Sequence, residues 1–170
     1  VLLSGGTSKG EGDLCYRVVA QHTQPGILAH GVALKPGKPI CLAAHQGKPV
    51  VILPGFPTSA IFTFHEFVAP ITRMLSGRTQ TPSASVAAHL AVRVNSEIGR
   101  TEYLLVSLVD PPRDDVATAS RVANETPSTT TSSPLVAYPI GKGSGSVTTF
   151  SYADGFITLG RHVEIVEAGT

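Results

Sequence analysis

Three stretches within the first 60 residues combine glycine, hydroxyl and lysine residues at spacings suited to holding an anion. The first is Ser4-Gly5-Gly6-Thr7-Ser8-Lys9-Gly10-Glu11-Gly12-Asp13. Glycines there let backbone N–H groups close on an anion, Thr7 and Ser8 add hydroxyl donors, and a helix start beyond them adds a field favourable to phosphate. The segment does not fit the GxxxxGK[ST] phosphate loop. Asp13 has two readings from the pattern alone: N-cap of the helix that Leu14, Val18 and Val19 suggest, or ligand of a divalent cation bridging to phosphate oxygens.

The second stretch is His30-Gly31-Val32-Ala33-Leu34-Lys35-Pro36-Gly37-Lys38-Pro39. Two ammonium groups flanking a Pro-Gly turn repel each other unless an anion sits between them. The alternative is a solvated turn whose exposed lysines add little to folding. His30, beside apolar residues, reads as packed or hydrogen-bonded rather than as a ligand or base. The third stretch, Leu53-Pro54-Gly55-Phe56-Pro57-Thr58-Ser59-Ala60, ends a strand and opens a helix, so the amides of Thr58 and Ser59 form a second anion seat or a proline-fixed junction.

These stretches need a frame, and residues 1–77 supply one by alternating strand-like and helix-like patterns. Val1–Leu3, Ile27–Leu34, Ile40–Ala44 and Val50–Leu53 read as strands, with a turn at His45-Gln46-Gly47-Lys48. From Thr58 to Ser76, Ile61, Phe64, Val68, Ile71 and Leu75 fall on one helical face, Pro70 must kink or follow a break, and Gly77 is a natural C-cap. Residues 78–85 read as a linker. Beyond it, Val86–Val94, Glu102–Val109, Leu135–Pro139, Gly155–Leu159 and His162–Val166 read as strands. Asp110–Pro134 is Pro-, Ser- and Thr-rich and predicts a mobile loop; Gly141-Lys142-Gly143-Ser144-Gly145-Ser146 predicts a hairpin connection.

Composition narrows the function classes. The 170 residues are 42% hydrophobic and 15% charged, which is enough apolar material for a globular core. Net charge is +1 and the 13 Lys and Arg are spread along the chain, so nucleic acid is not expected as a partner and any anion bound is small. Apolar runs stop well short of the ~20 residues of a membrane helix, and no signal peptide pattern is present. Cys15 and Cys41 lack metal spacing and predict reduced thiols in a cytoplasmic setting. His65, His89 and His162 lack the spacing of a zinc site. The start at Val1 reads as a cut within a longer chain.

In order and spacing, SGGTSKGEGD, HGVALKPGKP, GKPVVILPGFPTSA and GKGSGSVTTFSYADGFITL resemble the MoeA/gephyrin family of molybdopterin molybdenumtransferases. The resemblance implies an α/β fold: a partial three-layer molybdopterin-binding (MogA-like) domain over 1–78, its front half lying before Val1, then a small C-terminal β-barrel domain over 84–170. It implies an enzyme that inserts molybdate-derived molybdenum into adenylylated molybdopterin with Mg2+ or another divalent cation, as a homodimer in the longer parent, with this piece inactive alone. By matching position, Ser4, Gly5, Gly6, Thr7, Ser8 and Gly10 form the pterin phosphate loop, and Asp13 is the metal-side or catalytic acid. Lys35 and Lys38, with Pro36 and Gly37 between them, hold phosphate and molybdate oxyanions. Pro54, Gly55, Pro57 and Ser59 match the family's PGNPxSA turn, in which Phe56 replaces the usual Asn and so removes an amide. The competing implications are a related adenylyltransferase, which the PGxP helix start followed by a barrel argues against, and a non-catalytic gephyrin-like scaffold that grips peptides.

Overall fold

The structure, a computed structural model, describes residues 1–7, 13–78, 84–110, 135–141 and 148–170. The first part contains β1 (Leu2–Ser4), α1 (Cys15–His22), β2 (Pro25–His30), β3 (Leu34–Lys35), β4 (Cys41–His45), β5 (Lys48–Leu53), α2 (Pro57–Thr63) and, after a π-turn at Phe64–Val68, α3 (Ala69–Leu75). The second contains β6 (Ala88–Leu90), β7 (Val94–Asn95), β8 (Thr101–Val109), β9 (Leu135–Gly141), a 3-10 turn at Thr148–Tyr152, β10 (Gly155–Leu159) and β11 (Ile165–Val166).

Strands β1-β5-β4-β2 form one sheet, with β1 parallel to β5 and the other pairs antiparallel. Val50-Val51-Ile52-Leu53 is apolar at every position because both sheet faces are covered. Cys41, Ala43, Val50 and Ile52 pack beneath α1 through Val19, while Val51, Leu53 and Leu42 pack beneath the α2–α3 run through Ala60, Phe67 and Val68. The result is a helix–sheet–helix sandwich of three layers. Cys41 is wholly buried, which pushes its thiol pKa up and leaves it a packing residue. The β4–β5 turn places Gln46 and Gly47 at φ 48° and 75°, the left-handed pair of a two-residue hairpin.

Several local expectations are corrected. Leu14, not Asp13, occupies the N-cap position of α1, and its buried face is Cys15, Tyr16 and Val19, leaving Leu14 and Val18 exposed. The expected strand over Ile27–Leu34 breaks at Gly31, whose φ of 91° turns the chain. In the long helix, Ala69 N–H reaches back five residues to the Phe64 carbonyl. Pro70 has no N–H with which to continue the regular ladder, so the run opens into the π-turn just before it. The extra residue rotates the face beyond it, and Leu75 is exposed while Val68 and Ala69 are buried; at the start of the turn Phe64 is exposed and the preceding Phe62 buried. Gly77 does end the run: its N–H bonds the Met74 carbonyl and that of Arg78 the Arg73 carbonyl, a Schellman motif.

In the second part, β10-β8-β9-β6 form a sheet that β3 joins through β8, and β7 pairs with β11. Leu90, Val94, Leu104 and Leu159 make its core, with Ile157 and Val166 against them. Gly169 N–H donates to Leu90 O at 2.8 Å and Ser96 N–H to Glu164 O, which brings the chain end back against β6 and β7 beside the curled sheet. The span Val86–Val94 is two short strands, and only Ile165–Val166 of His162–Val166 is strand. Residues 142–147, with most of the expected hairpin turn, lie outside the described residues, but β9 and β10 are not hairpin partners: each flanks β8 on opposite sides. Residues 79–83 and 111–134, where a linker and a mobile loop are expected, also lie outside the described residues.

Among the described residues the parts meet along a strand seam and an aromatic cluster. β3 pairs in parallel with β8, Leu34 opposite Thr101 and Lys35 opposite Glu102. Farther along, Phe62 of α2 stacks on Tyr103 at 4.7 Å and meets Phe156 edge-on, while the Tyr103 hydroxyl donates to Glu66 Oε2 at 2.6 Å. Burial and the Glu66 carboxylate hold the Tyr103 phenol well above its ordinary pKa.

Candidate active site

Because β1 and β5 are parallel neighbours, the loops leaving their carboxyl ends emerge side by side, the place where α/β sheets bind ligands. Gly5 N–H donates to Leu53 O at 2.9 Å, and a Cβ on Gly55 would stand 3.7 Å from Gly5 Cα, so the two turns run together. His30 Nε2, at 2.9 Å, donates to the Thr7 carbonyl and its ring packs on Tyr16. It therefore tethers the glycine loop, the bonded role expected of it.

The lysine turn is set against this edge from the other side. Gly31 N–H bonds Ile40 O and Val32 N–H bonds Lys38 O, folding residues 31–40 into a compact loop. Gly37, with φ 123°, lies against α2 so closely that a Cβ would approach Thr63 Cγ2 to 2.5 Å. Thr63 is itself wholly buried and its hydroxyl donates to Ser59 O at 2.7 Å.

The three turns surround one cleft of about 660 Å³, within the range of small-molecule sites. Gly6, Thr7 and Asp13 line it from the first stretch, Lys35, Pro36, Gly37 and Lys38 from the second, and Pro54, Gly55 and Ser59 from the third. Ser4, Gly5 and Pro57 are not among its lining residues, and Ser8 and Gly10 lie outside the described residues. Phe56 is 60% exposed and forms part of the wall. Beside Ser59, the Thr58 hydroxyl is buried and has no hydrogen-bond partner among the described residues.

The second part adds residues that sequence reasoning missed. Glu97 and Arg100, 3.1 Å apart, also line the cleft. Glu102 lies behind it, 2% exposed, with Oε1 3.4 Å from Lys35 Nζ and Oε2 accepting the Ser96 hydroxyl at 2.9 Å. Lys35 thus differs from the free ammonium expected of it; Lys38 is exposed and makes no ion pair among the described residues. One signal for Glu102 was available: it shares the inward phase of β8 with Leu104 and Val106, where a carboxylate requires a partner. Among the described residues no three His, Cys, Asp or Glu side chains group as a metal site. Two carboxylates, Asp13 and Glu97, line the cleft among the described residues, the second paired with Arg100.

A three-layer α/β part thus carries the cleft at its strand ends, with a curled sheet packed beside it. Residues 1–74 match the family model described as "Probable molybdopterin binding domain", and residues 128–170 match the "MoeA C-terminal region (domain IV)". Over these two stretches the chain is similar to MoeA-type proteins. It is 29% identical to a molybdopterin molybdenumtransferase of Synechocystis over 99% of its own length and 36% of that protein, and 31% identical to that of Haemophilus influenzae over 61% and 25%. The crystal structure of a molybdopterin biosynthesis MoeA protein from Pyrococcus horikoshii superposes with a TM-score of 0.67 at 32% identity, covering 99% of this chain and 34% of that one. The chain spans about a third of the length of the relatives it matches end to end. Among the described residues no helix is long and apolar enough to cross a membrane.

Proposed function

We propose that the cleft is the pterin-phosphate and oxyanion site of a molybdopterin molybdenumtransferase, which takes adenylylated molybdopterin and molybdate and inserts molybdenum as the adenylate leaves. The observation that carries this reading is the convergence of all three anion-suited stretches on one cleft. In it, Gly6 and Thr7, with Ser4, Gly5, Ser8 and Gly10 of the same loop, bind the pterin phosphate. Lys38 and Lys35 meet the oxyanions, and Asp13 serves as the acid on the cation side. A Mg2+ bound there would offset phosphate charge. The whole enzyme works in the cytoplasm as a homodimer, the first and second parts described here being its domains over 1–78 and 84–170, and this chain alone binds ligand without turning it over.

Calorimetric titration with adenylylated molybdopterin tests the reading. Lys38→Ala removes a charge-assisted contact worth about 1.5–3 kcal/mol, so affinity falls tenfold or more with the melting temperature unchanged. Unchanged affinity in a folded Lys38→Ala variant refutes the oxyanion role. Phe56 favours a second reading, a peptide-gripping scaffold, because it puts an exposed aromatic ring where the family usually carries an amide. Phe56→Asn then strengthens molybdate binding if the cleft is catalytic and leaves it unchanged if it is a scaffold.

A further inference from the structure

Glu102 occupies a position that the β8 pattern would give to an apolar residue, in phase with Leu104 and Val106 and 2% exposed. A carboxylate so buried demands an opposite charge and hydrogen-bond donors. It has both, since the Ser96 hydroxyl donates to Oε2 at 2.9 Å and the Lys35 ammonium stands 3.4 Å from Oε1. The backbone fixes the meeting: β3 runs parallel to β8 with Lys35 opposite Glu102, and Thr101 N–H donates to Ala33 O at 2.9 Å. Lys35 is at the same time a wall of the cleft, its side chain 31% exposed. Its ammonium therefore has a buried anchor on one side and the ligand space on the other.

An unanchored lysine gives up many rotamers when it grips an anion, and that loss weakens binding. We infer that Glu102 is a positioning residue of the oxyanion site: with Ser96 holding it, it fixes the Lys35 ammonium at the cleft, so the ordering is completed on folding rather than on binding. The inference rests on the reading of the cleft given above. It runs against the direct Coulomb effect, because a carboxylate near the cleft repels an anion and its neutralisation would by charge alone tighten binding. The sign of the change separates the two accounts.

The test is calorimetric titration of the chain with sodium molybdate and with adenylylated molybdopterin, alongside thermal melts. Glu102→Gln keeps the shape and the Ser96 bond, and affinity is expected to fall about threefold to tenfold. Glu102→Asp restores part of it. In a Lys35→Gln background, which leaves Glu102 a polar partner, the further change Glu102→Gln has no effect on affinity. Unchanged or tighter binding by folded Glu102→Gln overturns the inference. A loss of equal size in the Lys35→Gln background also overturns it, because Glu102 would then act through the fold. If Lys38→Ala weakens binding while Glu102→Gln does not, the cleft reading stands and this inference falls; if the wild type binds neither ligand, both fall.

Discussion

Removal of the Lys35 charge separates the two lysines of the turn by stability as well as by binding. Lys35→Ala leaves Glu102, 2% exposed, with the Ser96 hydroxyl as its one side-chain partner among the described residues. Breaking a fully buried ion pair from one side costs about 3–5 kcal/mol. Here Lys35 is about a third exposed and stands 3.4 Å from its partner, and one donor remains, so solvent screening lowers the expectation to about 1–3 kcal/mol. Lys38 is exposed and unpaired among the described residues, so Lys38→Ala should stay within about 0.5 kcal/mol of wild type. Urea unfolding followed by circular dichroism reads both; with a slope of about 2 kcal/mol per molar, Lys35→Ala lowers the midpoint by about 0.5–1.5 M. The double variant Lys35→Ala/Glu102→Gln recovers much of the loss, because the stranded charge is gone. Equal midpoints for the two single alanine variants, or no recovery in the double, would refute the argument that Glu102 is a buried charge dependent on Lys35.

Two further outcomes follow from the geometry. Gly37→Ala places a Cβ against Thr63 at a φ of 123° and is expected to lower stability by more than about 1–2 kcal/mol and to weaken binding, whereas Gly47→Ala, strained in φ but facing open space, costs about 1 kcal/mol and leaves binding alone; matched urea midpoints for the two would contradict this. Tyr103 has a raised pKa in the fold, so its contribution is fully present below the unfolded phenol value of about 10 and is lost as pH rises beyond it. Melting temperatures from pH 8 upward should therefore fall more steeply in wild type than in Tyr103→Phe, and parallel curves would count against the burial of that phenol.

The sequence made the parts governed by short-range chemistry legible. Gln46-Gly47 announces a two-residue hairpin and Gly77 a helix end, because each requires a positive φ that few residues accept. The three cleft stretches were legible for the same reason, their glycines and prolines marking strand ends. What was not legible depends on contacts between distant segments. The pairing of two-residue β3 with β8 is too short to leave any periodicity, so the contributions of Glu97, Arg100 and Glu102 to the site were missed. Charge repulsion between Lys35 and Lys38 pointed towards an anion, but the partner that Lys35 meets is a carboxylate of the same chain. The faces of the α2–α3 run were misjudged because one π-turn shifts everything after it.

The parallel seam between β3 and β8 also bears on the order of assembly. The β4–β5 hairpin closes over two residues and can form in about 1–10 μs, long before chain segments as distant as Lys35 and Glu102 find each other. Closing so long a loop sacrifices chain entropy that only the finished packing repays, so the seam belongs among the later events of folding. The wall of the cleft containing Lys35 is thus completed late, after that hairpin. A chain arrested earlier would hold a well-formed hairpin, yet its lysine turn would still be unmoored.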